Sequence, residues 1–239
     1  MSPAESPSLD MLVKVARAFG PVLPDVVFLG GAVLPLLVTD PAAHPARGTE
    51  DVDVVVKIQS RREYYAFEET LRSLGLRNDT SSGAPVCRWI VEGCRVDVMP
   101  DDASILGFSN PWYAEALRSA NPVDLSPGLT IRLVSPAAFL ATKHAALMDP
   151  RRGGGDYMAS RDLEDIIAVV DGRPELDREL HAAPQQLKIY LGKAFRVFMA
   201  DPAFREALPA HLPGDLAGQA RRPRIEGLLR RWAEELSEE

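Results

Sequence analysis

The sequence is short of several things, and each shortage narrows what the chain can do. It has no run of about 18 or more apolar residues, so no membrane-spanning helix is expected. Its opening, MSPAESPSLD, has no basic segment leading into an apolar one, so no signal peptide is expected either. Cysteine is scarce, with Cys87 and Cys94 alone among 239 residues. If residues 85–98 form a hairpin turning at Glu92-Gly93, Cys94 falls opposite Val91 and not opposite Cys87. A disulfide is then not expected, and a reducing cytoplasm is the expected compartment. No His/Cys pair has zinc spacing, so His44 and His144 are not assigned to a metal. Positive charge is also short. The formal net charge is -7, the wrong sign for general nucleic-acid binding, which depends on phosphate neutralisation by Lys and Arg. The exception is RRPRIEGLLRR, where Arg221, Arg222, Arg224, Arg230 and Arg231 crowd into one segment. That segment reads first as a solvated helix face plus linker, with a local seat for RNA as the alternative.

The remaining composition, 46% apolar and 26% charged, is that of a globular chain with room for a core. Apolar spacing predicts a helix over 9–19 with Ser8 as its cap, and DVVFLG (25–30) reads as a buried strand. Gly30-Gly31 opens a short helix, and a Pro/Ala-rich loop covers 40–48. A capped helix over 60–75 starts at Ser60, with Glu63 three residues on. Residues 85–99 give two strands, 110–120 a helix and 129–135 a strand. Ser135-Pro136 then starts a helix. Beyond the glycine run 153–155 every segment reads as helical. Strands before 135 and helices after it give a sheet layer followed by a helical bundle, either α+β or α/β, divided at 1–134 and 135–239.

One segment stands out. RGTEDVDVVVKI (47–58) is a strand built for an interior, yet Asp51 and Asp53 sit at its start. Alternate residues of a strand share a face, so these two like charges point the same way. The strand CRVDVM carries a third carboxylate, Asp97, within an apolar alternation, with Asp101 and Asp102 just after it as competitors. In the hairpin register Asp97 faces Arg88, which suits a cross-strand ion pair as well as a metal ligand. Carboxylates on strands beside a glycine turn suit a hard divalent cation that takes its remaining ligands from water and substrate phosphates.

Taken together, Gly30-Gly31 after a strand, Asp51-x-Asp53 on the next strand and Asp97 on a later one resemble the nucleotidyltransferase superfamily with the polymerase-beta-like fold. The Arg47, Thr49, Asp51, Asp53 spacing is most similar to its AbiEii branch, which includes MenT-type toxins. Lys143 in LATKHAAL, and Arg161-Asp162 with Asp165 in SRDLEDI, match further motifs of that branch. The resemblance covers roughly residues 25–170.

The resemblance implies an α+β fold: an N-terminal mixed sheet with flanking helices and a C-terminal helical bundle. It implies transfer of a nucleoside monophosphate from a nucleoside triphosphate to an acceptor hydroxyl, with pyrophosphate released. Asp51, Asp53 and Asp97 would hold Mg²⁺, as two ions, with Mn²⁺ as the alternative metal. Asp97 could instead act as general base. Gly30, Gly31, Arg47 and Thr49 would bind the nucleotide. Lys143 would offset phosphate charge, with Asp162 and Asp165 orienting it. By the same analogy the acceptor is a tRNA 3′ end, the chain is the toxin of a toxin–antitoxin system, and an antitoxin protein or kinase is its partner. Two other readings stay open. One is an aminoglycoside-type enzyme, which the acidic balance favours. The other is a catalytically silent nucleotide-binding module.

Overall fold

The computed structural model describes residues 6–44, 47–152 and 154–236. Pro45, Ala46 and Gly153, which fall in the two expected loops, lie outside the described residues. In chain order the elements are α1 (Pro7–Phe19), β1 (Val26–Leu29), α2 (Leu34–Leu37), β2 (Asp51–Val56), α3 (Arg61–Ser73), β3 (Arg77–Asn78), β4 (Arg88–Val91) and β5 (Cys94–Pro100). They continue with α4 (Ala103–Leu106), α5 (Tyr113–Arg118), β6 (Asn121–Ser126), β7 (Leu129–Leu133) and α6 (Pro136–Leu147). The last are α7 (Arg161–Gly172), α8 (Leu176–His181), α9 (Gln185–Ala200), α10 (Pro202–Ala207), α11 (Leu216–Gln219) and α12 (Arg222–Glu235). The class is α+β, and no helix among the described residues is long and apolar enough to cross a membrane.

The chain forms two compact units. The first comprises residues 1–35 and 47–135 and holds a seven-stranded mixed sheet in the order β3-β4-β5-β2-β1-β7-β6. β2 runs antiparallel to β1 and parallel to β5. The centre is apolar: Val26 to Leu29 on β1 and Val52, Val54, Val55 and Val56 on β2 are all buried. The β4–β5 hairpin turns at Glu92-Gly93, both at positive φ (48° and 77°), the backbone that a two-residue hairpin turn requires. That turn sets the register, so Val91 pairs with Cys94 and Arg88 with Asp97. Both cysteines are buried free thiols, and burial pushes the Cys87 thiol up to about 12.

Ser60 caps α3 as its spacing predicts, accepting from Glu63 N at 3.2 Å, while Glu63 Oε2 accepts from Gln59 N at 2.8 Å. Ser8 does not cap α1. The helix begins at Pro7 with Ser6 at the cap position, and Ser8 is buried within it. Proline at the first helical position costs no hydrogen bond, and this moves the start forward. β6 has no counterpart in the sequence pattern. It is an edge strand with no buried residue, its apolar/polar alternation lasts only from Val123 to Ser126, and at an edge Pro122 is tolerated.

The second unit comprises residues 36–46 and 136–239, and all its described elements are helical. The excursion at 36–46 has a visible cause. Thr39 N and Asp40 N both donate to Gly172 O at 2.9 Å, and Arg173 donates to Leu37 O at 2.8 Å. A Cβ on Gly172 would lie 2.6 Å from Val38, so glycine is what allows this close approach.

Candidate active site on the sheet

The pairing of β2 with β5 brings the strand carboxylates to one face. Asp53 is the direct parallel partner of Asp97, and Asp51, two residues before Asp53, shares its side of β2. β1 delivers Gly30 to the same place, because Leu29 pairs with Asp53. Gly30 has φ 73° and ψ −166°, a combination essentially confined to glycine. A Cβ there would lie 1.9 Å from Asp53 Oδ2. A Cβ on Gly31 would lie 3.1 Å from an Arg47 guanidinium nitrogen and 3.5 Å from Thr49. The glycine pair thus packs against Asp53 and the segment leading into β2. The helix expected after it is short, one 3₁₀ turn over Gly31–Val33 followed by α2. What the glycines supply here is room and not a long helix dipole.

The carboxylates are held by named partners. Thr49 Oγ1 donates to Asp51 Oδ1 at 3.0 Å. Arg88 donates through Nε to Asp97 Oδ1 and through a terminal nitrogen to Asp97 Oδ2, both at 2.8 Å, and to Asp51 Oδ2 at 2.9 Å. The hydrogen bonds to Asp97, then the charges of Asp97 and Asp51, raise the Arg88 pKa beyond its ordinary value. The cross-strand ion pair anticipated for Asp97 is therefore present. The link from Arg88 to Asp51 has no local signature, since it depends on β2 lying beside β5. Asp101 accepts from Ile58 N, and Asp102 caps α4 through Ser104 N, so each has a local structural task.

Whether these residues suit a divalent cation can be judged from their chemistry. Asp51 and Asp53 offer hard oxygen donors side by side at a strand start, and Gly30, by lacking a side chain, leaves the space that the Asp53 carboxylate occupies. The set fits Mg²⁺ or Mn²⁺ held by one or two carboxylates. A cleft of about 970 Å³ elsewhere in this unit is lined by Val56, Ile58 and Phe67 with Lys57, Arg118 and Arg132. It lies toward the end of β2 opposite Asp51 and includes none of the strand carboxylates named above.

Within the helical unit, Lys143 on α6 sits between two carboxylates of α7. Its Nζ is 2.7 Å from Asp165 Oδ2 and 3.1 Å from Asp162 Oδ1, and Asp165 is fully buried. Asp162 also pairs with Arg152 at 3.2 Å. Ser160 caps α7 through Leu163 N at 3.2 Å, which fixes the turn that carries Asp162. Most of the arginine-rich segment has internal partners. Arg221 and Arg224 pair with Asp171, Arg222 with Glu226, and Arg231 with Asp177, while Arg230 is exposed.

One cluster escaped the sequence reading. Asp177 and His181 on α8 and Glu235 on α12 place one ligand-type atom each within 4.8 Å of one another. Asp177 Oδ1 already accepts from Arg231 at 2.6 Å and from Trp232 Nε1 at 2.7 Å, and His181 Nε2 faces Glu235 Oε2 at 3.2 Å. With a guanidinium already on Asp177, the group reads as an ion-paired staple between α8 and α12. Only the spacing of Asp177 and His181, one helical turn apart, hints at it in sequence.

No family model and no curated protein matches the chain. Among solved structures it is similar to one described as the crystal structure of JHP933 from Helicobacter pylori, at 9% identity and a TM-score of 0.48, over 95% of this chain and 90% of that one. At that score the likeness carries no argument.

Proposed function

We propose that this chain is a metal-dependent nucleotidyltransferase that moves a nucleoside monophosphate from a nucleoside triphosphate to an acceptor hydroxyl. The observation that carries the reading is the parallel β2–β5 register, which aligns Asp53 with Asp97 while Gly30 packs against Asp53. In this reading Asp51 and Asp53 hold Mg²⁺ or Mn²⁺. Two such ions would offset triphosphate charge and steady the attacking and the leaving oxygen. Gly30 and Gly31 belong to the proposal through the sequence resemblance, as the backbone that meets the triphosphate. Thr49 orients Asp51, and Arg47 lies next to Gly31 as a donor to phosphate oxygens. Lys143, oriented by Asp162 and Asp165, belongs to the proposal through the sequence resemblance. So does the tRNA 3′ end as acceptor, with a toxin role and an antitoxin protein or kinase as partner. The nucleotidyltransferase-like sheet arrangement followed by a helical bundle is part of the same proposal.

A second acceptor class is favoured by a specific observation. With a net charge of -7 and Arg221, Arg222, Arg224 and Arg231 already ion-paired, a cationic small molecule of the aminoglycoside type suits the charge balance better than RNA.

The test is incubation with each labelled nucleoside triphosphate, Mg²⁺ and either total tRNA or an aminoglycoside panel, with Asp53→Ala as control. Label on tRNA that is absent with Asp53→Ala is the expected result. Label on the aminoglycoside alone transfers the proposal to the second acceptor class. No transfer to either, with no metal binding, overturns the enzyme reading and leaves a silent module.

A further inference from the structure

We infer that Arg88 is a resident counter-cation of the carboxylate face, which withholds Asp97 from metal ligation and competes with a divalent cation for Asp51. This rests on the metal-binding reading of Asp51 and Asp53 proposed above.

The partition follows from the geometry. Asp97 receives two parallel N–H donors of Arg88, each at 2.8 Å, one on each carboxylate oxygen. This is the fork arrangement in which guanidinium and carboxylate match best. Both side chains are well covered, with 12% of Asp97 and 17% of Arg88 exposed. Parting such a pair strands a covered charge. The cross-strand register of β4 and β5 places the two residues directly opposite, so the pair is built into the hairpin.

Asp51 is held differently. Its side chain is 33% exposed, and it receives a single bond from Arg88, at 2.9 Å on Oδ2. Its other oxygen accepts from the neutral Thr49 hydroxyl. An arriving cation can therefore take Asp51 by displacing one Arg88 bond and leave the Arg88–Asp97 fork whole. Arg88 becomes a positioning residue with two effects. It limits the metal to Asp51 and Asp53, and it lowers affinity in the absence of nucleotide.

Titration of the full chain with Mn²⁺ tests this, with free Mn²⁺ read by electron paramagnetic resonance. Asp53→Asn locates the site. Arg88→Gln removes the competing charge. Arg88→Gln combined with Asp97→Asn also removes the stranded carboxylate and leaves a neutral amide pair across the hairpin, so the test survives if the single variant folds poorly. The expected result is Mn²⁺ binding that Asp53→Asn abolishes and that tightens about tenfold in both Arg88 variants, the loss of one charged hydrogen bond converted to affinity. If binding depends on Asp53 but is unchanged or weaker in the double variant, removing Arg88 frees nothing for the cation, and the inference fails while the metal reading stands. If Mn²⁺ binding is absent, or is indifferent to Asp53→Asn, both fail.

Discussion

Gly30 and Asp53 are a matched pair: the space a side chain would need on Gly30 is filled by the carboxylate of Asp53, whose Oδ2 would lie 1.9 Å from a Cβ there. Gly30→Ala therefore has two penalties, a forbidden backbone at φ 73° and ψ −166° and a displaced Asp53. The backbone term alone is about 1–3 kcal/mol. In the proposed nucleotidyl transfer, a shift of Asp53 by about an ångström should cost on the order of a hundredfold. Gly31→Ala is the control, since its nearest neighbour is the flexible end of Arg47 at 3.1 Å. Thermal melting should show a large loss for Gly30→Ala and a small one for Gly31→Ala, and labelled transfer should fall with Gly30→Ala.

Lys143 gives a prediction that separates stability from catalysis. Its ammonium lies against Asp165, which is fully buried, so Lys143→Met removes a cation from a covered carboxylate. The expected cost is about 3–5 kcal/mol in a denaturant titration. Adding Asp165→Asn should restore most of that stability. If Lys143 also meets phosphate, the restored double variant keeps a raised KM for the nucleoside triphosphate. A double variant with both stability and KM restored would leave Lys143 a purely structural residue.

What the sequence disclosed and what it hid divide along sequence distance. The alternation of RGTEDVDVVVKI, the Ser60 cap and the Glu92-Gly93 turn are local, and each is enough to place its element. From the turn alone came the Arg88–Asp97 register, and with it the ion pair found at 2.8 Å. Contacts set by distant pairing left no local trace. Arg221 meets Asp171 and Asp40, and Arg88 meets Asp51, only because strands and helices far apart in sequence lie together. The excursion of residues 36–46 into the helical unit turns on Gly172, whose missing side chain reads in sequence only as an ordinary helix end. β6 escaped because its alternation spans only Val123 to Ser126, beside Pro122 and with no apolar run.

The α8–α12 staple gives a sharper expectation for one partner than for the other. Trp232 is 1% exposed, and its Nε1–H donates to Asp177 Oδ1 at 2.7 Å. Asp177→Ala leaves that buried donor without its acceptor, at a cost of about 1–3 kcal/mol. Arg231→Ala removes only a half-exposed ion pair, worth about 0–1 kcal/mol. Urea titrations of the two variants should rank them in that order. Equal losses would mean that the ion pair, and not the indole, holds the helices together.

The last expectation concerns acid. His144 on α6 shares a 2.8 Å hydrogen bond through Nδ1 with Tyr190, and its ring packs edge-on against Tyr190 and Phe198. Its Nε2 is buried without a hydrogen-bond partner. Burial therefore pushes the His144 pKa down, from 6.5 to about 4. The unfolded chain takes up this proton first as pH falls, so folding is favoured by the full amount above about pH 6.5 and loses it progressively toward about pH 4. Between about pH 7 and pH 4.5 the loss assigned to this one group is about 2–3 kcal/mol. Carboxylates titrate over part of the same range, so the comparison is with His144→Gln, which keeps a polar atom near Tyr190 and cannot ionise. Urea stability of the native chain should fall by that amount more than the variant's over the window. Parallel falls in the two would mean that His144 does not stay neutral because of its burial.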